Sequence, residues 1–296
     1  MGDIRIGMIG LDTSHVVAFT KVLNVENDPE HVPGGKVLVA FPGGSKDLAV
    51  SYTRVDGYVA KLRDDFGVEM VDSPAAVAER SDAILLESVD GRQHLSQFEE
   101  IARFGKPVFI DKPFTTSSAE AKRIFEIAGQ YGTPVFSSSS LRFAAGISDL
   151  AKDEKVLGCV AHGPNAILPD FPGMFWYGIH SAEILFSLMG TGCKEVRVST
   201  TEGADVVTGT WQDDRIGVLY GGRLGKITFS ATVFTDKGTR FAEAAKSPSG
   251  YYLMLKAIME FFKTGRSPIP QEETLEIIRF LEAANEAKAT GNPVAL

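Results

Sequence analysis

The sequence predicts a two-domain α/β protein: a doubly wound parallel sheet, then a domain on a large, open, mainly antiparallel sheet. Three observations lead there. Short apolar runs alternate with helical patterns from residue 4 to residue 136, which is how a parallel sheet covered on both faces reads. Beyond residue 190 strand-like runs follow one another across turns rich in Gly and Asp, as antiparallel strands do. At 296 residues, the chain also exceeds one ordinary domain.

The elements follow in order. Ile4 to Ile9 reads as a strand stopped by Gly10, and Thr13 to Leu23 as the helix after it. Val37 to Phe41 is a second strand, ended by Pro42-Gly43-Gly44. Arg54 to Phe66 has helical periodicity, and Glu69 to Val71 is a short strand. Ser73-Pro74 caps a helix through Glu79, with proline at the first helical position. Ala83 to Leu86 and Pro107 to Ile110 are strands flanking a helix over His94 to Phe104. A helix beginning at Ser117-Ser118-Ala119-Glu120 runs to Tyr131, and Thr133 to Phe136 closes the series. In the second half a helix spans His180 to Met189. Strands follow at Glu195 to Thr200, Val206 to Trp211, Ile216 to Tyr220 and Lys226 to Val233. Tyr251 to Lys263 and Glu272 to Ala289 are closing helices. The domain division is 1–140 and 141–270, with the helix at 271–290 packing back on the first domain.

Composition narrows the function classes. Apolar residues make up 44% and charged residues 23%, a core-forming mixture. A net charge of −8 opposes nucleic acid or an anionic membrane as partner. Cys159 and Cys193 are too few for a disulfide framework and show no metal-ligand spacing. The residues after Met1 lack the pattern of a signal peptide, and no apolar run approaches a membrane span. A soluble cytoplasmic protein is expected.

The most informative segment is Gly105 to Phe114, a turn glycine and a buried strand leading to Asp111-Lys112-Pro113. In an open α/β sheet ligands sit at the carboxyl ends of the strands, so a lysine placed there is a candidate for chemistry. Other segments join it: Ser88-Val89-Asp90-Gly91-Arg92-Gln93-His94 after the fourth strand, Ser140-Leu141-Arg142-Phe143 after the sixth, and Trp176-Tyr177-Gly178-Ile179-His180-Ser181-Ala182-Glu183. In order and spacing these resemble the glucose–fructose oxidoreductase and inositol dehydrogenase family (Gfo/Idh/MocA) over nearly the whole chain. The resemblance implies an N-terminal Rossmann domain holding a nicotinamide cofactor, with Ser88, His94, Asp111 and Lys112 among the residues lining it. It also implies a C-terminal domain that meets a sugar or polyol substrate and often a partner subunit. Carried over, Lys112 polarises the reacting oxygen and His180 exchanges the proton.

The sequence departs from that pattern in three places. A dinucleotide turn reads Gly-x-Gly-x-x-Gly; here it is Gly10-Leu11-Asp12-Thr13-Ser14-His15. A carboxylate at Asp12 aimed at a pyrophosphate is repelled by ~4 kcal/mol per charge pair at ~4 Å and an effective dielectric of ~20. Asp12 is therefore expected to turn away and cap the helix, leaving Thr13 and Ser14 to the phosphate, with a protonated His15 offsetting its charge. Second, the strand that ends at Phe41 carries no acid for a ribose. Gly43-Gly44 with Ser45 and Lys46 reads either as an anion nest, which favours NADP over NAD, or as an ordinary turn. Third, Trp176 stands where the family has an Asp and Glu183 where it has a second. Asp170 and Tyr177 are the candidate replacements as proton donors. Phe171, Phe175, Trp176 and Tyr177 suggest a stacking surface or plain core. Arg142 is a clamp for an anionic substrate or the partner of a structural acid.

The histidines show no metal spacing, so no metal is expected, and the serines 137–140 lack the Gly-x-Ser-x-Gly of a nucleophile elbow. The favoured function is an NAD(P)-dependent oxidoreductase of sugars or polyols, working as a homodimer or homotetramer. The competing one is a ligand-binding or regulatory protein without a dinucleotide, which the altered turn would also leave.

Overall fold

A computed structural model describes residues 2–296. The chain divides into two compact units: residues 1–115, 119–138 and 251–271 in the first, and 116–118, 139–250 and 272–296 in the second.

The first unit alternates strand and helix throughout. Its elements are β1 (Ile4–Ile9), α1 (His15–Asn24), β2 (Gly35–Phe41), α2 (Ala49–Tyr52), α3 (Val55–Phe66) and β3 (Glu69–Met70). There follow α4 (Pro74–Arg80), β4 (Ala83–Leu86), α5 (His94–Ile101), β5 (Val108–Ile110), α6 (Ser118–Tyr131) and β6 (Val135–Ser137). The six strands are parallel, in the order β3-β2-β1-β4-β5-β6. Ile6, Met8, Ile9, Leu85, Phe109 and Ile110 are buried, as strands covered on both faces require. The Ser73 hydroxyl accepts the Ala76 amide at 3.2 Å and so caps α4. The strand order reverses between β1 and β4, the point at whose carboxyl ends open α/β sheets bind ligands.

The second unit holds β7 (Val156–Pro164), α7 (Gly178–Met189), β8 (Cys193–Thr200), β9 (Ala204–Trp211), β10 (Ile216–Gly222), β11 (Ser230–Thr235) and β12 (Gly238–Glu243). After α8 (Gly250–Thr264), the chain closes with α9 (Gln271–Thr290) and β13 (Val294–Ala295). The seven-stranded sheet runs β12-β11-β7-β10-β9-β8-β13; β7 and β10 are parallel and every other pair is antiparallel. β7, with two glycines and a terminal proline, gives too weak a strand pattern to be seen in the sequence. The expected strand from Lys226 begins only at Ser230. Ile227 instead packs on Gly222, where an added Cβ would collide with it, so its apolar side chain fills a gap beside the sheet.

The helix that completes the first unit is α8, not the expected segment 271–290. Met254, Leu255, Ile258 and Phe261 of α8 are buried, and Phe261 meets Phe136 edge-on with centroids 5.6 Å apart. α9 belongs to the second unit, where Phe280 packs on Phe186 at 5.4 Å and Glu276 accepts the amides of Gly192 and Cys193. Both helices are amphipathic, and only the shapes they meet distinguish them. Rings such as these contribute about 1.5–3 kcal/mol each on burial. Among the described residues no helix is long and apolar enough to cross a membrane.

The second unit also has a buried carboxylate beside the turn between β8 and β9. Asp205 has no exposed side-chain surface and accepts from Arg223, Lys288, Thr200 and Asn165, joining β9 to α9. Burial by itself raises its pKa, but bonds from Arg223, Thr200 and Lys288 together hold it below the usual carboxylate range. A carboxyl whose folded value lies below its unfolded value of ~3.9 contributes stability at higher pH and loses it as pH falls through the folded value. Urea midpoints measured at pH 7 and pH 3 should therefore fall further for the wild type than for Asp205→Asn. An equal fall in both would show that these ion pairs add nothing to stability.

Candidate active site

In the first unit, the residues at the carboxyl ends of β1, β4 and β5 form one cluster. Gly10 ends β1 at φ +85°, and a Cβ there would lie 2.5 Å from the Ser88 amide nitrogen. Only glycine fits a left-handed residue so close to a neighbouring backbone. The loop that follows turns under α1, and the amides of Thr13 and Ser14 make no hydrogen bond among the described residues.

Asp12 turns away from that helix, but not to cap it. Its carboxylate accepts from the Ser51 hydroxyl at 2.6 Å and the Val89 amide at 2.9 Å, bridging the segment after β2 to the loop after β4. Burial pushes the Asp12 carboxyl up, against the pull of those two bonds. His15 does not offset Asp12 either. Its Nδ1 lies 2.7 Å from Asp111 Oδ2, and its ring stacks on Phe19 at 5.2 Å and meets the edge of Tyr251 at 5.0 Å.

Several residues expected at the cofactor have hydrogen-bond partners within the chain. Both ring nitrogens of His94 face carbonyl oxygens, Phe114 at 2.9 Å and Ser88 at 2.7 Å, and the side chain is fully buried. The Ser88 hydroxyl donates to Gln97. The Ser45 amide donates to Ser51 and its hydroxyl bonds Asp90, so the proposed anion nest loses its serine to the interior. The Phe41 carbonyl accepts the Gly10 amide at 3.0 Å. Arg92 holds Asp90 in a two-pronged pair.

Lys112 is buried directly after Asp111. Beside them sits Glu87, which sequence reasoning missed. It is the first residue after β4, wholly buried, with Oε2 3.9 Å from His15 Nδ1. Neither of its oxygens has a hydrogen-bond partner among the described residues, and Asp111 Oδ1 also lacks one. Burial and then the Asp111 charge push the Glu87 carboxyl well above the usual range. Burial works the same way on Asp111, but the charges of His15 and Lys112 hold it down, to about 2. The two neighbouring acids are thus pushed in opposite directions. A glutamate closing the apolar run Ala83–Leu86 was the available signal.

In the second unit His180, early in α7, sits 2.7 Å from the Ser139 hydroxyl, between the edges of Tyr177 (5.7 Å) and Phe229 (5.4 Å). Trp176 is half-buried and meets Phe171 and Tyr177 at interplanar angles of 70° and 56°, so these rings interlock rather than form a flat platform. Asp170 is exposed in the loop before them. Arg142 is not an anion clamp. It is buried between Glu183 at 2.8 Å and Glu273 at 2.6 Å, which turns Glu183 from a substrate ligand into a structural partner.

Residues 4–139 match the model of an oxidoreductase family with an NAD-binding Rossmann fold, GFO_IDH_MocA. The match spans the six parallel strands of the first unit. Solved structures share the fold of the whole chain at low identity. A probable dehydrogenase from Thermotoga maritima superposes with TM-score 0.79 and 18% identity over 99% of this chain and 98% of that one. A myo-inositol dehydrogenase from Corynebacterium glutamicum ATCC 13032 gives 0.76 and 15% over 99% of each. GenD2 of gentamicin A biosynthesis, in complex with NAD, gives 0.78 and 14% over 100% and 97%. No curated protein matches the sequence.

Within this fold the Arg142 triad is testable as structure. Removing one partner of a buried ion pair costs about 3–5 kcal/mol, because it leaves uncompensated charge. Arg142→Ala should lower unfolding free energy in urea by that amount. Adding Glu183→Gln and Glu273→Gln to it should restore most of the loss, which a clamp for substrate would not predict.

Proposed function

We propose that the protein is a nicotinamide-dependent oxidoreductase, cytoplasmic, acting on a hydroxyl-bearing carbon of a sugar, polyol or related small molecule. One observation carries the reading: a buried lysine, Lys112, stands at the carboxyl end of β5 in a domain of an NAD-binding oxidoreductase family. The crevice fits the cofactor where it must hold phosphate. Gly10 keeps the turn tight, Asp12 is held away by Ser51 and Val89, and the Thr13 and Ser14 amides open α1 toward an anion. When bound, the nicotinamide accepts or supplies the hydride.

The chain's own residues do the rest. The Lys112 ammonium donates to the reacting oxygen and stabilises negative charge on it. His180 takes the hydroxyl proton during oxidation and returns it during reduction, with Ser139 fixing its ring and Tyr177 beside it. Of the donors expected for a 2′-phosphate, Ser45 is turned inward and Lys46 stays exposed, so the proposal covers NADP and NAD alike. The two unpaired cysteines suit a reducing compartment.

A second reading has one observation in its favour. Asp12, Ser45 and Gln93 lace the loop after β2 to the loop after β4, across the side of the crevice where an adenosine lies in dinucleotide sites. In that reading the crevice takes a smaller ligand and no dinucleotide. Titration with NADH and NADPH, followed by nicotinamide fluorescence, separates the two. Saturable micromolar binding supports the oxidoreductase, and then Lys112→Ala and His180→Ala should each lower turnover ~100-fold or more while the protein stays folded. No binding by folded, cofactor-free protein selects the second reading.

The subunit state follows from the open face of the seven-stranded sheet. Cys159, Ala161 and Leu219 point toward α7, whereas Val160, Val218, Tyr220, Phe234 and Phe241 lie on the opposite face, the last three with 39%, 45% and 59% of their surface exposed. Such a stripe, continuous across four strands, suits a second copy of the same sheet about a two-fold axis. Light scattering should show a dimer or tetramer that Phe241→Glu dissociates. A wild-type monomer at micromolar concentration would rule this out.

A further inference from the structure

We propose that His15, Glu87 and Asp111 bind one divalent first-row transition-metal ion of the Mn²⁺ or Zn²⁺ kind. These three residues come from the carboxyl ends of β1, β4 and β5, and their ligand atoms all lie within 4.8 Å of one another. Nδ1 of His15 is 2.7 Å from Asp111 Oδ2 and 3.9 Å from Glu87 Oε2. Ligands ~2.0–2.2 Å from a common ion lie roughly 3 Å apart when adjacent and roughly 4 Å apart when opposed, so small side-chain movements bring all three into contact with one ion.

The second observation is the unpartnered Glu87. Its side chain has no exposed surface, both oxygens are without hydrogen bonds, and Asp111 Oδ1 beside it is also without one. A buried polar group left unsatisfied costs about 1–3 kcal/mol, and a charged one more. Among the described residues the Lys112 charge acts on Glu87, but no lysine or arginine lies within ion-pair distance of it. A divalent cation compensates both carboxylates at once, taking the place of the hydrogen that Nδ1 and Oδ2 share. One imidazole with two carboxylates selects a borderline ion over Mg²⁺ or Ca²⁺, which prefer all-oxygen sites. Three protein ligands leave coordination positions for oxygens of a small ligand. The His15 side chain, 9% exposed, gives the site its contact with solvent.

The proposal does not depend on a dinucleotide, and its test uses none. Full-length protein stripped with chelator is titrated with Zn²⁺ by calorimetry and with Mn²⁺ by electron paramagnetic resonance. The expected result is one ion per chain at micromolar affinity, with pulsed spectra of bound Mn²⁺ showing coupling to one imidazole nitrogen. Glu87→Gln and His15→Gln, checked for folding by near-ultraviolet circular dichroism, should each weaken binding ~10-fold or more. Asp82→Asn, which removes an exposed carboxylate paired with Arg5, should leave binding unchanged. Folded wild type that binds no ion overturns the proposal, as does binding without imidazole coupling. Equal affinity in the wild type and the folded variants means an adventitious ion and also overturns it. Where a variant fails to fold, the nitrogen coupling in the wild type decides.

Discussion

The close approach of β1 to β4 at Gly10 is the constraint on which the rest of the first unit depends. With φ at +85° and the Ser88 backbone against it, this position accepts no side chain, and the chain must turn under α1 at once. That turn brings Asp12 to the Val89 amide and His15 to Asp111. The same approach puts Glu87, one residue before Ser88, into the interior beside both. A Rossmann sheet gathers loop residues at its switch point in any case. Here the gathered residues are acids and an imidazole in place of the usual small residues.

The consequence is a crevice with two characters. At the start of α1 the Thr13 and Ser14 amides have no hydrogen bond among the described residues, with the helix dipole behind them. Deeper in, it concentrates charge: Asp111 held anionic, Glu87 without a partner, and Lys112 next in sequence. Buried titratable groups with displaced pKa values are a mark of functional sites. By contrast, these buried charges of the second unit have ion-pair partners, with Arg142 shared by two glutamates and Asp205 by an arginine and a lysine.

Where the sequence misleads, it does so through residues whose type fits two jobs. His94 is a plausible crevice residue by position, yet both of its nitrogens are bonded to backbone. Ser45 and Ser88 are donors by type, and their hydroxyls are used by Asp90 and Gln97. Arg142 reads as a clamp until Glu273, over a hundred residues later, is found against it. Each partner lies outside the local pattern, so no periodicity or motif reveals it.

The sequence by itself determined the parallel-sheet half, because alternating apolar strands and amphipathic helices are local signals. It also singled out Lys112 and His180 as candidates, which sit in motifs with fixed spacing. Tertiary structure alone decided which closing helix joins which unit, since α8 and α9 are both amphipathic and differ only in the surfaces they meet. It likewise decided that Asp12 bonds Ser51 and Val89, and that His15, Glu87 and Asp111 meet. Those residues are 72 and 24 positions apart along the chain and are brought together only by the pairing of β1, β4 and β5. The contacts are long-range, and a single sequence carries no local signal for them.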